Sequence, residues 1–274
     1  MTRASAIRRG RSAVLAAVGC GLALALAGCN RGSGTAVAAS PSLGSPYTLM
    51  QMNLCLSGLA GCYAKVRYPA VVQEAVARIR EAHPDAVTFN EACRGDVARI
   101  ARQTRYHLRF STVIYYDKPL PCIRPSGRGR FGDAVLTRAA IRSSDNQAFH
   151  AQAGPEQRRW LCVRTRIGVS VCTAHLASPE PDEVAANAPQ CAELGRLLGH
   201  RAAVGTVIFG GDVNRLPSCA PPGFWRQSDR FARQDPGNQQ VYGTGALRAP
   251  SARMLPAIHT DHDILLVRAD LTAR

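Results

Sequence analysis

The chain has 274 residues, 46% of them hydrophobic, which is enough apolar material for a sizeable core and excludes a disordered protein. Its 34 basic residues against 19 acidic ones give a formal charge of +15, a balance that points to anionic partners. Ten cysteines contain no C-x-x-C pair, which excludes zinc ribbons and thioredoxin-like redox motifs. The chain also lacks a G-x-x-x-x-G-K-[ST] phosphate loop and a G-x-S-x-G nucleophile elbow, so nucleotide triphosphatases and serine hydrolases fall away. All basic residues except Lys65 and Lys118 are arginines, but the chain is alanine-rich as well, and the arginine bias by itself is not read as phosphate binding.

Residues 1–28 have the layout of an export signal, with Arg3, Arg8, Arg9 and Arg11 ahead of an apolar run from Ala13 to Ala27. The run closes on Leu26-Ala27-Gly28-Cys29, which resembles a bacterial lipoprotein signal and predicts lipidation of Cys29. Residues 29–46 are small and polar and read as a tether. The expectation is an exported domain, anchored by lipid to the bacterial cell membrane and facing outside the cytoplasm. Cleavage removes four arginines and no acid, so the mature charge is +11. Eight cysteines then remain, and an oxidising compartment accommodates four disulfides among on the order of a hundred connectivities. Cys162 and Cys172 are equidistant from Ile167 in two β-rich runs and would sit opposite one another in a hairpin. Cys55 and Cys62 close a small loop through Ser57, Gly58 and Gly61. Cys93–Cys122 and Cys191–Cys219 are left by default.

Along the chain, Tyr47 to Cys55 predicts a strand, and Val72, Val76 and Ile79 repeat at helical spacing between Pro69 and Ala82. Ala86 to Phe89 reads as a strand, Asp96 to Gln103 as a helix and Leu108 to Tyr116 as a strand. Phe131 to Thr137, the hairpin at 160–175, Val204 to Phe209, Gln240 to Tyr242 and Ile264 to Val267 supply further strands. A helix is expected over Gln190 to Leu198, with Pro189 in its first turn. No linker divides residues 47–274. Eight or nine strands with irregularly interspersed helices predict one mixed-sheet α/β domain.

Five polar clusters end or interrupt these strands: Asn53, Glu91, His175, Asp212-Val213-Asn214 and His259-Thr260-Asp261-His262. Carboxylates hold hard cations, amides orient phosphate oxygens and histidines move protons, so the set suits metal-assisted phosphate chemistry. Met52-Asn53-Leu54, Phe89-Asn90-Glu91, Gly132-Asp133-Ala134-Val135-Leu136-Thr137-Arg138, Thr173-Ala174-His175-Leu176, Gly211-Asp212-Val213-Asn214 and Thr260-Asp261-His262 occur in order. Together they resemble the exonuclease-endonuclease-phosphatase superfamily, including pancreatic-type deoxyribonucleases and bacterial sphingomyelinases, over residues 47–268. The resemblance implies a four-layer α/β/β/α sandwich of two mixed β-sheets flanked by helices, and in-line attack of water on phosphorus. It implies Glu91 as metal ligand with Asn53 and Asp261, and Mg²⁺ as cofactor, with Mn²⁺ or Ca²⁺ as alternatives. Asp212 and Asn214 would position water and phosphate, His262 would be the general base or its equivalent, and His175 would steady the phosphate or protonate the leaving oxygen.

Two departures stand out. Gln239 occupies the position of an aspartate that orients a histidine, and Asp133 stands where asparagine is common. Arg138, inside a motif, and Arg128 and Arg130, in a basic loop, are candidate phosphate contacts. The +11 charge favours nucleic acid as substrate. A phospholipid or sphingomyelin phosphodiesterase is the runner-up; an exposed aromatic hairpin would support it, and the sequence shows none. A phosphomonoesterase comes third, and a lipoprotein that keeps the fold but binds without turnover is the alternative of another class. A monomer is expected.

Overall fold

A computed structural model describes residues 45–272; the predicted leader, Cys29 and all of the tether but Ser45 and Pro46 lie outside the described residues. In chain order the elements are β1 (Pro46–Asn53), α1 (Ala70–Ala82), β2 (Ala86–Cys93), α2 (Arg94–Thr104), β3 (His107–Thr112), β4 (Ile114–Tyr115), β5 (Lys118–Pro119), β6 (Phe131–Thr137) and β7 (Ile141–Ala148). They continue with β8 (Glu156–Gln157), β9 (Arg159–Thr165), β10 (Val169–Ala174), α3 (Val184–Val204), β11 (Thr206–Asp212), β12 (Phe224–Ser228), β13 (Gln239–Thr244), β14 (Leu247–Leu255) and β15 (Ile264–Leu271).

Two six-stranded sheets form, ordered β14-β15-β1-β2-β6-β3 and β12-β13-β11-β10-β9-β7. Period-two alternation decides what each face covers. In β1, Tyr47 and Leu49 face the other sheet, where they meet Val163, Val171, Ile208 and Val241, while Met50 and Met52 pack under Val72, Val76 and Ile79 of α1. In β11, Ile208 enters the inter-sheet core while Val207 and Phe209 pack beside Leu194 and Leu198 of α3. The result is the four-layer α/β/β/α sandwich. Each valine or isoleucine of α1 buried in this way contributes about 1.5–3 kcal/mol of burial free energy.

Five strands escaped the sequence reading, and all are edges: β7, β12 and β14 of the large sheets, and the two-residue β5 and β8 that flank β4 in a small third sheet. β7 is exposed along most of its length, and β14 carries Pro250 inside a register shift between Arg248 and Ser251, so neither shows the alternation of a covered strand. Helix α3 begins at Val184, and Pro189 lies inside it rather than in its first turn. Being near the N-terminus, it removes a single ladder bond.

All eight cysteines of the predicted mature domain are paired: Cys55–Cys62, Cys93–Cys122, Cys162–Cys172 and Cys191–Cys219. Cys162 and Cys172 are direct cross-strand partners. Each large sheet has one parallel pair at its centre, β1 with β2 and β10 with β11. The carboxyl ends of these four strands converge, and such ends are where open α/β sheets carry their sites.

Candidate active site

Asn53 ends β1, Glu91 lies near the end of β2, His175 follows β10 and Asp212 ends β11, so four of the predicted residues come from the four central strands. Glu91, His175 and Asp212 line one cleft of about 550 Å³ together with Asn214, Asp261 and His262, and Asn53, which does not line it, donates to two of its carboxylates. Local backbone choices aim the side chains. Between Phe89 and Ala92 strand β2 has one residue more than its partner β6, and Glu91 takes φ +53° in this bulge. Asn214 also has positive φ, a conformation asparagine tolerates. Gly210 lets the sheets close at this point: a Cβ there would lie 2.5 Å from Thr88 Oγ1 and 2.7 Å from Leu49 Cδ2.

The amide of Asn53 donates to Glu91 Oε1 (2.8 Å) and to Asp212 Oδ2 (3.0 Å), while its oxygen accepts the Cys55 N–H. In this arrangement the Asn53 amide orients the two carboxylates, and its oxygen faces the Cys55 N–H. Asn90 accepts the Asp212 N–H (2.8 Å) and Gln51 Nε2 (2.7 Å) and donates to Asp133 (2.9 Å), tying the two sheets together beneath the site. Burial pushes the Glu91 carboxyl up to about 7 against the opposing pull of the Asn53 hydrogen bond. Its Oε2 faces only the Cys62 sulfur at 3.8 Å, which as a disulfide sulfur carries no proton. A buried, donor-poor carboxylate beside Asp261 and Asp212 fits a hard divalent cation with oxygen ligands. Cys55 and Cys62 also lie within reach of Asp261, but a disulfide is no thiolate ligand.

His262 places Nδ1 3.0 Å from Asp261 Oδ1, and Nε2 2.9 Å from Asp235 Oδ2 and 3.4 Å from Asp212 Oδ2. Burial alone would lower its pKa; these carboxylates outweigh it and lift the imidazole to about 11. The charge expected to be lost at Gln239 is therefore supplied by others. Gln239 donates to buried Asp229 (3.1 Å) and to the Asp263 carbonyl (2.7 Å), and Asp235 and Asp261 hold the histidine. So paired, His262 acts as a proton-bearing group rather than a ready base. His175 is driven the other way, well below the usual histidine range, by burial and then by Arg158 and His262. Its Nε2 meets the Asn214 amide at 3.0 Å, the contact of a neutral acceptor.

Sequence reasoning missed Arg158. Its guanidinium lies under the cleft wall, 2.9 Å from Glu156 Oε1 and 2.7 Å from Glu183 Oε2. Nothing separated it in sequence from thirty-one other arginines. Asp235, in an Asp-Pro-Gly loop, had no periodic marker either.

The predicted arginine contacts are corrected. Arg138 follows β6 at the end opposite Glu91, where Thr137 pairs with Ala86, and it is bonded to Asp85. Arg128 is buried and structural, donating to Asp96 (2.8 Å) and the Leu56 carbonyl (2.7 Å) and stacking on Tyr68. Arg130 is exposed in the same loop and does not line the cleft. Arginine abundance concealed that Arg128 has carbonyls and a carboxylate to satisfy. His259 is half-buried and does not line the cleft.

Asp133 is a further consequence of the sequence. Burial raises its carboxyl to about 7, whereas the unfolded group ionises near 3.8. The folded state therefore holds the proton longer, and stability falls as pH rises from about 4 to 7. Asp133→Asn keeps an acceptor for Asn90 and abolishes this loss. Urea unfolding should find it more stable than the parent at pH 8, by on the order of a few kcal/mol, with the two converging near pH 4; a variant no more stable at pH 8 contradicts this.

Carboxylates and two oppositely tuned histidines, gathered at the ends of a two-sheet sandwich, define a hydrolase of phosphoric esters. The chain belongs to the Endonuclease/Exonuclease/phosphatase family, which it matches over residues 60–270 and whose members generally depend on divalent metals. Among solved structures, truncated Caenorhabditis elegans TDP2 is 16% identical, with a TM-score of 0.60 over 83% of this chain and 99% of that one. D. rerio TDP2 complexed with a single-strand DNA product is 12% identical, with a TM-score of 0.57 over 82% and 99%. The human Nocturnin catalytic domain with bound sulfate is 14% identical, with a TM-score of 0.61 over 83% and 94%. At these identities the likeness is one of fold. No curated protein matches the chain.

Proposed function

We propose that the protein is an exported, lipid-anchored phosphodiesterase that hydrolyses nucleic acid with Mg²⁺. The observation that carries the chemistry is the placement of Glu91, Asp212, Asp261, His175 and His262 in one cleft. Glu91 and Asp261 would hold the cation, whose charge stabilises that developing on phosphate oxygens. Asp212, fixed by Asn53, accepts the proton of the attacking water; its neighbour Asn214 orients the phosphate. Protonated His262 donates a hydrogen bond to a phosphate oxygen. The net charge of +15, or +11 after predicted cleavage at Cys29, supports a polyanionic substrate.

A phospholipid phosphodiesterase is the second reading, and one observation favours it. Strands β4 and β5 form a hairpin whose turn, Tyr116-Asp117, has both residues at positive φ. Tyr115 lines the cleft and Tyr116 is 70% exposed, so the chain does possess an aromatic hairpin at the site, contrary to the sequence expectation.

Product release by the purified full chain, from DNA, RNA, sphingomyelin and a small phosphodiester, with Mg²⁺ or chelator, tests both readings. Metal-dependent turnover of nucleic acid, lost in Glu91→Gln, is expected. Turnover of sphingomyelin alone selects the second reading, and indifference to chelator rejects the metal.

A further inference from the structure

The segment between β12 and β13 is tied down at several points by buried carboxylates. Asp229, wholly buried, accepts the Gly237 N–H (2.7 Å) and the Gln239 N–H (3.1 Å), and Asp263 accepts the Arg233 N–H (2.8 Å). Between these fixed points a turn, closed by the Ala232 N–H on the Asp229 carbonyl, lifts Arg230 and Phe231 into solvent. Phe231 is 76% exposed, and the Arg230 guanidinium stacks 4.5 Å from its ring centroid.

This pair borders a groove of about 400 Å³ where the edges of the two sheets meet, lined also by Arg226, Gln227 and Met254. No carboxylate lines it, whereas eight line the catalytic cleft. Neither Arg226 nor Arg230 has an ion pair among the described residues. The segment that carries the pair also serves the site: five residues beyond Arg230 it brings Asp235 to His262. Strand order gives the direction. From β11, which carries Asp212, the groove lies on the β13-β12 side, while Glu180, Asp182 and Glu183 follow β10 and Glu156 precedes β9 on the other.

We propose that this groove is a subsite for single-stranded nucleic acid next to the scissile phosphate, with Phe231 as a stacking platform for a base and Arg226 and Arg230 as backbone phosphate contacts. Stacking on an exposed ring is sequence-tolerant, and arginine adds cation–π attraction. A strand leaving the cleft past Glu180 and Asp182 meets like charge, and one leaving past Arg226 and Arg230 meets opposite charge. The proposal rests on the nucleic-acid reading above and specifies where the flanking nucleotides lie.

The test compares the full chain with Arg226→Ser/Arg230→Ser/Phe231→Ala in chelator, by fluorescence anisotropy on labelled oligothymidylate across a salt series. Binding should weaken about tenfold or more, and the log–log salt slope should flatten by about 1.4, the value for two single-strand phosphate contacts. Hydrolysis of bis(4-nitrophenyl) phosphate should be unchanged. Equal oligonucleotide affinity in parent and variant, with cleavage intact, overturns the groove and spares the function. A parallel fall on the small ester shows that these residues merely support the cleft, and overturns the subsite. Failure of the parent to bind or cleave the oligonucleotide overturns both. Loss of binding to phosphatidylglycerol vesicles with oligonucleotide affinity unchanged assigns the groove to a membrane instead.

Discussion

Asp212→Asn is expected to lower turnover by about a thousandfold or more at saturating substrate and metal. The side chain is 1% exposed and every oxygen is committed. Oδ1 accepts the Asn214 N–H (3.1 Å), while Oδ2 takes the Asn53 amide (3.0 Å) and lies 3.4 Å from His262 Nε2. An asparagine has the same shape and keeps the first bond. Its NH₂, however, would confront the Asn53 NH₂ and a protonated imidazole, and it has no lone pair basic enough to receive a proton from water. The loss should therefore appear in kcat, with thermal stability changed far less than removal of the buried charge by alanine would change it. Turnover within tenfold of the parent would sink the assignment of Asp212 as proton acceptor and shift it to structural support of Asn214.

The interior strands were legible because burial on one or both faces leaves a pattern: Leu49, Met50 and Met52 in β1, and Val207 to Phe209 in β11, are apolar where a layer covers them. β7, β12 and β14 were not, since almost none of their residues is buried and no covered face imposes an alternation on them. Of the site, the residues ending central strands could be found because a polar group after an apolar run is conspicuous. What remained hidden was whatever acts through space. Arg158, Asp229 and Asp235 approach the cleft from loops or strand starts, and no sequence period marks them. Gln239 shows the limit most clearly. Its identity suggested a histidine short of charge, yet three carboxylates surround His262, drawn from positions 212, 235 and 261.

The Cys55–Cys62 bridge should matter more to the metal than to the fold. It closes a ring of only seven residues' separation, against 28 for Cys191–Cys219, and chain entropy gives the shorter ring about 1 kcal/mol less stabilisation. Its position compensates. Within the ring the Leu56 N–H donates to the Glu91 carbonyl (2.8 Å) and the Cys55 N–H to Asn53 Oδ1 (3.1 Å), so this short loop clamps both the carboxylate's backbone and the amide that aims it. Glu91 sits at a φ of +53°, a conformation that persists only when its surroundings enforce it. Cys55→Ser/Cys62→Ser should therefore weaken Mg²⁺ binding by about ten- to a hundredfold, the usual effect of removing a support behind a ligand. Cys191→Ser/Cys219→Ser should do the reverse, lowering the midpoint of urea unfolding with metal affinity nearly unchanged. Calorimetric titration of Mg²⁺ into both variants, beside their unfolding curves, separates the two roles. If the active-site pair loses stability but binds metal as the parent does, Glu91 is held by its strand alone and the loop is only a cover.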